Sequence, residues 1–140
     1  MKIIVDTNLL VRAAVQDDPE QALAAKRTLK EADQAIIGRH ALCEFIWVLR
    51  HTYRFPSKEI VTALHSLLNA KNVVVDDAAV AAGLDAMGAG ADFADGVIAY
   101  EGRWLGGETF VSFDKKAVDV LTKLGIKSRL LGSLQTELGI

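Results

Sequence analysis

Short β-branched and apolar runs alternate with longer helical segments along this chain, and that alternation constrains the fold more than any other feature. The runs lie at Lys2–Val5, Gln34–Ile37, Val73–Val75, Thr109–Val111 and Ser128–Leu131. Each is too short for a helix and too apolar for an exposed hairpin strand. Between them the spacing predicts helices over Thr7–Val15, Glu20–Ala32, His40–Tyr53, Ser57–Asn69 (with Ser57 as its cap), Asp77–Met87, a segment capped by Asp92 and running to Leu105, and Lys115–Lys123. Strands separated by helices pair in parallel, so the class is α/β, with a sheet covered on both faces. In such folds ligands gather at the carboxyl ends of the strands.

No linker, repeat or low-complexity stretch interrupts the pattern. Its 140 residues fit one domain over 1–140, and 51% hydrophobic residues suffice for a core. The net charge of −2 removes the overall basic character of most nucleic-acid-binding domains while leaving room for a local basic rim. A single cysteine, Cys43, excludes an internal disulfide and reads as a small core residue. The apolar start is too short for a signal peptide and no run is long enough to span a membrane, so a cytoplasmic location is expected.

Four acids, Asp6, Glu44, Asp95 and Asp114, stand at a strand end or on an inward helical face. Asp6 follows the first strand directly. Asp114 follows the fourth strand; it either caps the next helix or belongs to a site. Glu44 shares a helical side with Ala41, Phe45, Val48 and Leu49, which predicts a core-facing carboxylate that needs a metal or an ion pair, with Arg12 as the candidate partner. Asp92 reads as a helix cap, and Asp95 shares an inward face with Ile98, Ala99 and Gly102. Arg12, Arg39, Arg50, Arg54, Lys115 and Lys116 are the cations nearest in sequence to these acids; Arg12 and Lys115 are the candidate contacts to any phosphate-bearing ligand. His40, His51 and His65 have no ligand spacing among themselves and read as surface or helix-side residues. Trp47 and Trp104 fit apolar helical patterns and read as core or interface.

The segments Val5-Asp6-Thr7-Asn8-Leu9-Leu10, Asp92-Phe93-Ala94-Asp95-Gly96-Val97-Ile98-Ala99 and Thr109-Phe110-Val111-Ser112-Phe113-Asp114, with Glu44 on a helix between the first two, resemble PIN domains in order and spacing. The length and the lack of added domains resemble the VapC-type toxins of bacterial toxin–antitoxin pairs. The resemblance implies a three-layer α/β/α fold with a mostly parallel central sheet. It implies an endoribonuclease dependent on Mg²⁺ or Mn²⁺, with Asp6, Glu44, Asp95 and Asp114 as the acids that bind metal and carry catalysis. Asp6 and Asp95 take the direct ligand positions, Glu44 ligates or orients the attacking water, and Asp114 acts through water or a second ion. Asn8 and Ser112 are expected to hydrogen-bond these carboxylates. A homodimer and a cognate antitoxin are the implied partners, with apolar surface on Glu20–Ala32 and Ser57–Ala70 available to another chain.

Other classes fit less well. A phosphatase with an aspartate nucleophile at the first strand end favours a second Asp two residues on, where this chain has Asn8. A receiver-like module wants an acidic cluster by the first strand and a late strand lysine, and neither stands out. An RNA-processing PIN nuclease without an antitoxin, and a PIN-like binding module without catalysis, share the same motifs; a binding module is expected to lose acids that this chain retains.

Overall fold

Each β-branched run becomes a strand, and among the described residues every strand pairing is parallel. The computed structural model describes residues 1–132 and divides the chain into two units, Met1–Asp76 and a second beginning at Asp77. In the first unit, strands β1 (Lys2–Ile4), β2 (Gln34–Ile36) and β3 (Val73–Val74) form a three-stranded sheet in the order β1-β2-β3. Its register sets Ile3 opposite Ala35, and Ala35 opposite Val73. The crossovers are helical, as parallel neighbours require. They contain α1 (Thr7–Val15), α2 (Pro19–Glu31), α3 (Arg39–His51) and α4 (Ser57–Leu68).

The core of this unit is built from the helix stripes. Leu10, Leu42, Phe45, Leu49, Ile60 and Leu64 are all but completely buried. Full burial of each such side chain contributes about 1.5–3 kcal/mol. The end of α2 is tied down by Asn72, whose side-chain amide donates to the carbonyls of Leu29 and Ala32 at 2.8 and 2.9 Å. Those carbonyls have no partner inside the helix and need an outside donor.

The second unit contains α5 (Asp77–Gly88), α6 (Phe93–Trp104), β4 (Phe110–Ser112), α7 (Lys115–Lys123) and β5 (Ser128–Leu130), with β4 and β5 parallel. Ala86, Ala99 and Leu121 form a buried cluster, with Phe110 and Ile126 packed against it. Helices α5 and α6 meet through glycine. A Cβ at Gly96 would fall 2.1 Å from the Ala82 carbonyl oxygen, and one at Gly83 would fall 2.5 Å from the Phe93 ring. Only a residue without a side chain permits this approach.

Among the described residues, seven helices and parallel strands give the α/β class that the sequence pattern predicts, in keeping with an α/β/α architecture. Among the described residues no helix is long and apolar enough to cross a membrane. Two local expectations change. Pro56, not Ser57, occupies the N-cap of α4, and the Ser57 hydroxyl instead accepts a 2.9 Å hydrogen bond from Arg50. Of the core and interface readings of the tryptophans, the core one is excluded: Trp47 is 58% and Trp104 76% exposed. Trp47 rests against the His51 imidazole, one helical turn on.

Candidate active site

The chain leaves β1 and enters α1 within two residues, and this junction positions Asp6. Asp6 occupies the N-cap with an extended backbone, yet its side chain makes no capping hydrogen bond. It is exposed at the carboxyl end of the strand, where the topology rule places ligands. Asn8, two residues on, is also exposed and makes no hydrogen bond to an acid among the described residues.

Glu44 is on α3, but not on its core face. The buried residues of that helix are Leu42, Phe45, Ile46 and Leu49. Glu44 lies beside that stripe, with 52% of its side chain exposed. The expected core-facing carboxylate is therefore corrected to a surface one at the margin of an apolar stripe. The expected Arg12 partner is corrected as well. Arg12 pairs with Asp17 at 2.7 Å, and the Tyr53 hydroxyl donates to the other Asp17 oxygen at 3.2 Å. Although partial desolvation works against the Asp17 charge, the Arg12 and Tyr53 bonds hold its carboxyl below the usual carboxylate range. Glu44 instead contacts His40 Nε2 at 2.8 Å and accepts a 3.4 Å hydrogen bond from the Thr7 hydroxyl. Composition and pattern gave His40 and Thr7 no role. The one available signal was the spacing of His40 and Glu44, four residues apart on a helix and so neighbours on its surface.

In the second unit the acids sit at helix starts. Asp92 is the N-cap of α6, as expected, and its amide donates to Asp95 Oδ2 at 3.0 Å. Asp95 is half-buried in the first turn, where the positive end of the helix dipole favours an anion. Burial nonetheless pushes its carboxyl above the usual range. The bond from the Asp92 amide opposes that rise, and the charges of Asp92 and Asp114 add to it. The inward face of α6 is Phe93, Gly96, Val97 and Ala99, while Ile98, expected beside Asp95 on that face, is 58% exposed.

Asp114 caps α7, its Oδ1 accepting from the amides of Lys116 and Ala117 at 3.0 and 3.2 Å. Ser112 Oγ accepts from the backbone amide of Asp114 at 3.0 Å, and among the described residues its hydroxyl donates to no carboxylate. Lys115 pairs with Asp119 at 2.8 Å, so this cation, like Arg12, already has an acidic neighbour. Arg39 faces Asp76 at 3.5 Å.

All four candidate acids offer carboxylate oxygens, hard donors suited to Mg²⁺ or Mn²⁺. Among the described residues, no three His, Cys, Asp or Glu side chains converge closely enough to enclose an ion by themselves. That is compatible with Mg²⁺, which keeps several waters and takes one or two protein carboxylates rather than a full cage. The mutual repulsion acting on Asp95 is a charge imbalance that a cation would relieve.

The first unit thus offers an acid at a strand end and the second offers acids at helix starts, both within parallel α/β architecture. The sequence profile of the PIN domain matches residues 3–121, and the chain belongs to this family. PIN domains are generally nucleases and typically use divalent metal ions. A search of curated proteins gave no match.

Proposed function

We propose that this protein is a metal-dependent endoribonuclease acting as the toxin of a toxin–antitoxin pair, with Asp6, Glu44, Asp95 and Asp114 as its working acids. The observation that carries the reading is that the PIN match, over residues 3–121, spans all four acids. Divalent metal, when bound, supplies a more acidic water and neutralises charge on the phosphoryl oxygens. The chain's own residues have the other tasks. Asp6, free of capping duty, ligates. Asp95, half-buried and reluctant to ionise alone, contributes its charge most readily beside a cation. Glu44 ligates or orients the attacking water. Asp114 keeps Oδ1 on its helix amides and offers Oδ2.

An antitoxin is the proposed partner. The support is a groove of about 600 Å³ in the first unit, lined mainly by α1, α2 and α4 with Phe45 of α3 and Val73 of β3. Its lining includes the apolar Leu10, Leu29, Phe45 and Leu67 and the charged Lys26 and Glu59. A lining of both apolar and charged side chains suits an amphipathic segment of another chain. A homodimer is part of the same proposal, as is the assembly of residues 1–140 as one domain.

The test is cleavage of a mixed RNA pool by purified protein with Mg²⁺, with Mn²⁺ and with chelator, beside Asp6→Asn and Asp95→Asn. Metal-dependent cleavage that both substitutions abolish is the expected result. Cleavage that persists in both, or in chelator, would sink the reading.

A further inference from the structure

Glu44 is held by one oxygen. Both of its contacts, from His40 Nε2 at 2.8 Å and from the Thr7 hydroxyl at 3.4 Å, converge on Oε1. Among the described residues Oε2 has no hydrogen-bond partner. The two donors come from different elements. His40 stands in the first turn of α3, one turn before Glu44, and Thr7 opens α1 directly after Asp6. The dipeptide Asp6-Thr7 thus carries one acid of this unit and touches the other.

An exposed pair of this kind, four residues apart on a helix, adds little to stability. What it changes is orientation. A solvent-facing glutamate samples many rotamers and loses that freedom when it binds a ligand. Two donors on one oxygen restrict the sampling beforehand and leave the other oxygen without a partner among the described residues. The His40 contact works in either charge state, because a neutral imidazole protonated on Nε2 and an imidazolium both donate from that nitrogen.

We propose that His40 and Thr7 are positioning residues for Glu44, fixing Oε1 so that Oε2 alone is presented to a divalent cation. This rests on the reading that Glu44 takes part in metal binding. Partners that orient metal-binding side chains in this way typically contribute about 10–100-fold to metal affinity.

The experiment is a Mn²⁺ titration of the full chain by calorimetry. It compares wild type, Glu44→Gln, His40→Ala, His40→Gln and Thr7→Val, each also melted without metal. His40→Ala is expected to weaken Mn²⁺ binding about 10-fold or more. His40→Gln returns an N–H donor close to the lost Nε2 and should recover most of that loss. Thr7→Val should lose less than His40→Ala, in line with its longer contact. Metal-free melting temperatures should stay together, and in RNA cleavage excess Mn²⁺ should restore His40→Ala but not Glu44→Gln. Wild-type affinity in His40→Ala, alongside weakened binding in Glu44→Gln, overturns the positioning role and leaves the metal reading standing. Undiminished binding in Glu44→Gln removes Glu44 from the metal and takes both down together. A lower metal-free melting temperature in His40→Ala with unchanged Mn²⁺ affinity assigns the contact to stability and also overturns the proposal.

Discussion

The acids of the first unit and those of the second have different relations to the backbone. Among the described residues Asp6 and Glu44 bond to no main-chain group: Asp6 makes no capping bond, and Glu44 contacts only side chains. Asp95 and Asp114 each accept backbone amides at a helix start, one from Asp92 and the other from Lys116 and Ala117. The two candidate acids of the first unit are therefore separable from helix capping, whereas those of the second are tied to the start of a helix. A loss of activity on changing Asp6 or Glu44 speaks about chemistry. The same loss at Asp114 mixes chemistry with helix stability.

The strongest challenge to this contrast is Gly96→Ala. The new methyl group would meet the Ala82 carbonyl at 2.1 Å, forcing α5 and α6 apart beside Asp95. Overpacking of this kind costs about 1–3 kcal/mol. Denaturant melts should show it, and a wild-type midpoint would mean that the second unit is far more yielding than its contacts imply.

Next in size is Asp114→Ala, which should cost about 1 kcal/mol by removing the cap of α7, while Asp114→Asn, still a good cap, should retain most of the stability. In the first unit, Asp6→Asn and Glu44→Gln should shift stability by no more than about 0.5 kcal/mol. Equal thermal shifts for Asp114→Ala and Glu44→Gln would erase the distinction between the units.

The smallest effect is electrostatic. Asp95 has its carboxyl raised by burial and by Asp92 and Asp114, so the folded protein holds that proton more tightly than the unfolded chain does. Its contribution is therefore most favourable below the unfolded value of about 3.9 and is lost as pH rises through the folded one. Asp95→Asn should melt higher than wild type near neutral pH in chelator, and the advantage should shrink on acidification below that window. A constant difference across the whole range would show that Asp95 titrates as it does in the unfolded chain.

Most of the element order was legible because strand and helix periods differ so plainly. Thr7–Val15 and Lys115–Lys123 form helices with the predicted bounds, and the other elements shift by a residue or two at their ends. The side on which Glu44 falls was not legible. Leu42 and Ile46 are apolar as well as Phe45 and Leu49, so the apolar arc of α3 is wide, and its centre depends on what packs against it. Leaving those two residues out rotates the inferred core face toward Glu44. Asp114 shows a second limit. A capping aspartate and a site aspartate look identical in sequence, and the hydrogen bonds to Lys116 and Ala117 identify the cap without removing the other role. Neither Asn8 nor Ser112 bonds a carboxylate in the way the resemblance implied. Side-chain partnership depends on angstrom-scale placement that residue spacing does not encode.

The cap on α7 also bears on how such a chain can change over generations. If selection kept only the fold, substitutions at Asp6 and Glu44 would accumulate freely, since neither holds a helix in place. Asp114 would remain under restraint because α7 needs its two amides answered. A descendant that had abandoned cleavage would thus still carry its last acid as a relic, and that aspartate alone would be poor testimony that the enzyme survives.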